Sequence, residues 1–106
     1  LEQKKMLFCS DIEKEAESYY IRMNEIEDCD IIQVAHHGSN TSSTPGFVER
    51  ARPEVAVVSV GRKNKFGHPD DIVLERFKDC ELYRTDHHGA VIIKVKGKSI
   101  RIQKYL

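Results

Sequence analysis

The chain has 106 residues, with 17 lysines and arginines against 17 aspartates and glutamates, five histidines and 40% hydrophobic residues. That length fits one small domain with a modest core, and apolar runs recur often enough to set the chain apart from a disordered one. No run of about 18 apolar residues and no basic-then-apolar leader occurs, so neither a membrane span nor a signal peptide is expected; zero net charge argues against a strongly basic, nonspecific nucleic-acid binder without excluding a local basic surface.

Lys5-Met6-Leu7-Phe8-Cys9 is a first apolar run of strand length. Ile12, Ala16, Tyr19, Met23 and Ile26 then follow at spacings of four and three, one face of a helix, and Ser10 with Glu13 reads as a capping box that starts it near residue 11. Residues 1–30 hold nine acidic and four basic side chains, most of the acids on this helix, where a solvated face is the simplest account. Asp30 opens a second strand, Ile31 to Ala35, which ends at His36-His37-Gly38-Ser39 and a polar loop, Asn40 to Thr44. Pro45 suits the first position of a short helix running to about Arg52. Val55 to Val60 is a nearly continuous apolar strand, as expected where both faces are covered.

The loop Gly61 to Pro69 follows, and Asp70 or Asp71 caps a helix through Phe77. Leu82-Tyr83-Arg84 is a short strand, and Ala90 to Val95 with Ser99 to Lys104 forms a hairpin turning near Gly97. The order is β-α-β-α-β-α-β-β-β, an α/β layered domain with a mixed sheet and no internal boundary over residues 1–106. Cys9, Cys29 and Cys80 are far apart and form no C-x-x-C pair; each reads as a buried or half-buried thiol, which suits a reducing compartment.

Polar residues gather at strand ends. Asp11, His36-His37 and His68 each lie at or just past the end of an apolar strand, separated by 25 and 31 residues, about one crossover each. Ligands in α/β sheets bind outside the carboxyl ends of strands, so three loops are expected to bring a carboxylate and two or three imidazoles together. Such oxygen and nitrogen donors suit zinc or manganese. Each residue has a plainer account: Asp11 as a helix N-terminal charge, the histidine pair as loop residues bonded to carbonyls, His68 as a turn residue. His87-His88 reads as hairpin turn. The Gly61 to Pro69 loop carries Arg62, Lys63 and Lys65 and no acid, which suits a phosphate backbone or an ordinary solvated loop. The hairpin lysines are explained by protection of an edge strand.

Together, Asp30 to Ser39, Val57 to Gly61 with Gly67-His68-Pro69, and Tyr83 to Asp86 resemble the metallo-β-lactamase-like domain at the C-terminal end of ComEC-type competence proteins, a family of DNA internalisation. The resemblance covers roughly residues 5–95. It implies the C-terminal half of an αββα metallohydrolase sandwich. On it, Asp11 matches the metal-bridging aspartate, and His36 or His37 the next metal ligand. His68 matches the Gly-His-Pro histidine near the metals, and Asp86 a further polar position at the same edge, making these two the catalytic candidates. Ser39 and Ser42 match hydroxyl residues of the loop after the histidine pair and, with Lys63, Asn64 and Lys65, would touch substrate.

Two departures accompany the resemblance. Ser10 stands where the family has glycine, and the His-x-His-x-Asp-His motif that supplies most ligands is missing and expected upstream of residue 1. The implied protein is a metal-dependent phosphodiesterase or nuclease acting on DNA, attached to a polytopic membrane protein, with this chain alone inactive and weak or empty in zinc or manganese. The alternative is a degenerate, non-catalytic module that binds DNA or protein. A half-sandwich would leave one sheet face bare, so self-association is also expected.

Overall fold

The structure, a computed structural model, describes residues 4–63 and 66–105. Four apolar runs pair as strands β1 (Met6–Phe8), β2 (Ile31–Gln33), β3 (Val55–Val58) and β4 (Glu81–Arg84), all parallel and in the spatial order β1-β2-β3-β4. Helices α1 (Lys14–Arg22), α2 (Pro45–Ala51) and α3 (Asp71–Arg76) make the three crossovers. A one-turn helix α4 (Thr85–His88) leads to an antiparallel hairpin, β5 (Val91–Lys96) and β6 (Ser99–Lys104). The expected order of elements is therefore present, with α4 and a tight turn at Ala35–Gly38 added to it.

Register explains the layering. Leu7, Ile32, Ala56 and Leu82 lie side by side across the four strands, and these join Ile21, Phe47, Val48, Ala51, Val73 and Phe77 in one buried core. Residues of α1, α2 and α3 thus meet the same alternate set of strand positions, so all three helices cover one face. Sequential parallel strands joined by right-handed crossovers require this arrangement. The opposite face carries the rows Met6-Ile31-Val55-Glu81 and Phe8-Gln33-Val57-Tyr83. Phe8 is 71% exposed there. The molecule measures 37 × 34 × 20 Å, and its shortest dimension accommodates one helix layer on one sheet layer at about 10 Å each. Half of an αββα sandwich has this form, and so does an ordinary two-layer α/β domain.

Helix ends follow local chemistry. The Thr44 hydroxyl accepts from the Phe47 amide with Pro45 in the first turn, and the Asp70 carboxylate accepts from the Ile72 amide. Of the two aspartates open in the sequence, Asp70 is the cap.

Four expectations are corrected. The hairpin does not join the parallel sheet among the described residues, so there is no single mixed sheet. The reason lies at α4, which turns the chain off β4 and ends at Gly89 in a positive-φ conformation (67°). His87 and His88 accordingly sit in α4 rather than in a hairpin turn. The Ser10–Glu13 capping box does not form: α1 begins at Lys14 with Glu13 as its N-cap and no side-chain cap bond. Nor is the expected apolar face of α1 the buried one. Tyr19 and Met23 are exposed, Ile26 lies beyond the helix, and the fully buried residue is Glu17. All three cysteines are buried or half-buried, as expected. Burial pushes the Cys9 thiol up to about 12 and the Cys29 thiol to about 11, so both remain protonated.

Candidate functional site

Because the four strands run parallel, the loops after them emerge at one edge, and the chain's polar residues concentrate there. After β1 the backbone turns through Ser10 in the left-handed region (φ 54°), and Asp11 follows, exposed. Gln33 holds this turn: its side-chain oxygen accepts from the amides of Cys9 and Ser10, each at 2.9 Å. A glycine would take the Ser10 conformation without cost, whereas serine carries roughly 1 kcal/mol of strain in it. The gain is position, because the Ser10 carbonyl then accepts the His36 amide at 2.8 Å and ties the aspartate turn to the histidine pair.

After β2 three successive residues are left-handed: His36 (φ 52°), His37 (φ 55°) and Gly38 (φ 82°). Hydrogen bonds on all sides fix this run. His37 Nδ1 donates to the Ser59 carbonyl at 2.6 Å, the Ser39 amide donates to the His36 carbonyl, and the Asp70 amide donates to the Gly38 carbonyl. A carbonyl can only accept, so Nδ1 of His37 carries a proton, and in the neutral ring the lone pair then sits on Nε2, the arrangement found in imidazoles that ligate metals. His36 Nδ1 is buried without a hydrogen-bond partner, with Glu13 Oε2 the nearest carboxylate oxygen at 4.0 Å. The His36 ring lies 6.2 Å from that of His68, and Phe66 stacks on His68 at 6.0 Å.

The loop from Ser39 to Thr44 closes against α1. Ser42 Oγ donates to the Ile12 carbonyl at 2.5 Å, and Ser39 Oγ pairs with Thr41 Oγ1 at 2.9 Å. The two serines are buried and bind the loop internally. Glu17, which the sequence pattern does not single out, accepts from the amides of Ser43 and Thr44 at 2.5 and 2.9 Å. Arg76 Nη1 donates to the Ser43 carbonyl from α3. One buried carboxylate thereby couples the histidine loop to α1.

At the fourth strand end, Thr85 exchanges hydrogen bonds with the backbone of Val60 at 2.7 and 2.9 Å, joining the β3 and β4 loops. Asp86 is held by Arg84 through two bonds, at 3.0 and 2.8 Å. Those bonds keep its carboxyl below the usual carboxylate range. Arg62 and Lys63 are exposed after β3, while Asn64 and Lys65 lie outside the described residues. The edge therefore unites the Asp11 turn, His36, His37 and His68, whereas Ser39, Ser42 and Asp86 are engaged in internal bonds.

Two imidazoles and a carboxylate suit the donor chemistry of zinc or manganese. Among the described residues, however, no three His, Cys, Asp or Glu side chains gather closely enough to hold an ion. The described residues do not form a metal site by themselves.

No family model matches the chain, and no solved structure does. The chain is 29% identical over 94 residues to ComE operon protein 3 of Bacillus subtilis (strain 168), covering 87% of this chain and 12% of that protein. It is 37% identical over 82 residues to competence protein ComA of Neisseria gonorrhoeae, covering 71% of the chain and 12% of ComA. It is also 37% identical over 71 residues to recombination protein 2 of Haemophilus influenzae, covering 67% and 9%. The chain thus spans about an eighth or less of the length of these curated relatives. Their names and the extent of matched chain support a relationship, at modest identity, between this protein and the ComEC family of competence proteins.

Proposed function

We propose that this chain is one wall of a metal-dependent phosphodiesterase site within a DNA-uptake protein, and that it is inactive alone. The observation that carries the reading is the buried, unbonded His36 Nδ1 beside the His68 ring, next to the Asp11 turn. Asp11 and His36 would supply two ligands, with the remainder outside the described residues. A divalent ion completed there would supply a hydroxide nucleophile and stabilise charge on phosphoryl oxygens. His37 is anchored on the Ser59 carbonyl beside it, and His68, whose ring lies 6.2 Å from that of His36, would donate a proton to the leaving oxygen. Arg62 and Lys63 would meet the phosphate backbone. The competing reading, a non-catalytic interaction module, is favoured by the absence of a gathered three-ligand set among the described residues.

Manganese-dependent cleavage of a plasmid by the full-length parent protein separates the two. Cleavage that falls about a hundredfold or more in Asp11→Ala and His36→Ala supports the hydrolase. Cleavage unchanged in both variants, or absent from the parent, favours the module. The 106-residue chain titrated with zinc or manganese is expected to bind neither tightly nor stoichiometrically.

A further inference from the structure

We propose that the polar face of the β5–β6 hairpin, carrying Lys94, Lys96 and Arg101, is a contact surface for the sugar–phosphate backbone of DNA. The proposal deepens the reading above, since DNA is the substrate class given there, but it concerns a different part of the molecule.

Register separates the hairpin into two faces. Val91, Ile93 and Val95 lie on one side with Ile100 and Ile102 across from them, and Lys104 closes that row. Lys94 opposite Arg101, Lys96 opposite Ser99, and Ile92 opposite Gln103 lie on the other. Lys94, Lys96, Ser99, Arg101 and Gln103 are all exposed. Lys94, Lys96 and Arg101 have no ion-pair partner among the described residues. Lys104, by contrast, lies over the Tyr83 ring at 5.8 Å and belongs to the body of the protein.

The sign of the charge is the telling feature. Residues 90–106 contain five of the 17 basic residues and none of the 17 acidic ones. Protection of an edge strand would be served equally by a lysine opposite a glutamate, which would also stabilise the pair. Lys94 directly opposite Arg101 does the reverse, placing like charges across the ladder at a cost in stability. A face that retains that repulsion is suited to an anionic partner that relieves it.

Position and composition narrow the partner. The hairpin's open end is fixed at the edge that holds the histidines. Thr85 is bonded to Val60 just before it, and the Tyr105 amide donates to the His88 carbonyl at 3.0 Å. The six-residue strands are about 20 Å long, with the uncharged Ile92–Gln103 pair nearest that end and Lys94, Lys96 and Arg101 in the half next to the turn. A long polyanion entering the candidate site would run along this face. The face has no aromatic side chain and one apolar residue, Ile92, so it offers neither a stacking platform for bases nor an anchor for lipid tails. Contact through phosphates alone predicts binding that ignores sequence and weakens with salt.

The test is fluorescence anisotropy of a labelled DNA duplex with the 106-residue chain in EDTA, across a range of salt concentrations. The charge-neutral triple variant K94Q/K96Q/R101Q is compared with the charge-preserving K94R/K96R/R101K. The neutral variant is expected to bind about tenfold or more weakly, with the slope of log affinity against log salt reduced in magnitude by about 2.7 for three lost phosphate contacts. The charge-preserving variant should retain both. Equal affinity and slope in the neutral variant would overturn the proposal, as would no duplex binding by the wild-type chain. Tighter binding to phosphatidylserine vesicles than to duplex, lost in the same variant, would overturn it in favour of a membrane surface. EDTA removes cleavage from the readout, so the hydrolase reading and the hairpin contact fail or stand separately.

Discussion

Gly38 is the residue on which the histidine loop turns. Its φ of 82° lies in the left-handed region, and a Cβ there would stand 2.4 Å from Pro69 Cβ and 2.9 Å from Pro69 Cα. Neither contact can relax by swinging a side chain, because Pro69 is a rigid ring followed by the Asp70 amide that binds the Gly38 carbonyl. Gly38→Ala should therefore destabilise the protein by about 2 kcal/mol or more, read as a lower urea midpoint at unchanged slope. The sequence already pointed to this loop, since a double histidine before glycine at the end of an apolar run is a recognisable pattern. It did not reveal three consecutive left-handed residues. That conformation depends on partners supplied by the Ser10, Ser59 and Asp70 backbones, which are distant in sequence and adjacent only in the fold.

At the scale of elements, strands were more legible than helix faces. Short apolar runs bounded by polar residues announce strands directly, and each of the six predicted runs overlaps an observed strand. Helix α1 departs from its apolar spacing because its buried position is a glutamate. Spacing rules count apolar residues, whereas Glu17 is buried for the two amides it accepts. The turn from β4 into α4 makes a similar point with a charge that can be titrated. Arg84 holds Asp86 through two hydrogen bonds, lowering its folded pKa below the unfolded value of about 3.9. The stabilisation is complete above that unfolded value and is lost as pH falls through the folded one. Asp86→Asn should cost roughly 1 kcal/mol near neutral pH. The urea midpoints of variant and wild type should converge once pH falls below the lowered folded pKa of Asp86. A difference that persists there would mean that packing, not charge, holds the turn.

For the whole molecule, the α/β class and the edge at which the polar loops emerge were readable, because parallel strands joined by helices leave few topologies. Separation of the hairpin from the main sheet was not, since nothing in an alternating pattern says which strand a given edge will accept. The sheet face away from the helices is buried at its centre, with Ile31 and Val55 each 2% exposed, and it is the β1 edge of that face that has a consequence in solution. Phe8 at 71% exposed and Met6 at 44% stand on edge strand β1, next to a face that no helix covers. Phe8→Lys should shift the molecule toward monomer in light scattering at high concentration, where the wild type is expected to associate. A wild type that stays monomeric would show that this face tolerates water.

The strand order also governs how the chain can be assembled in time. Each strand of the parallel sheet lies beside its predecessor in sequence, so no strand waits for a later one to be inserted between it and its neighbour. A chain emerging from the ribosome could add β2 to β1, β3 to β2 and β4 to β3 as each crossover is completed. The histidine pair would find its Ser59 carbonyl only after the third strand had docked, and the Thr85 link to Val60 would close last among the loops. The edge that gathers the chemistry is thus the final part of the sheet to become whole.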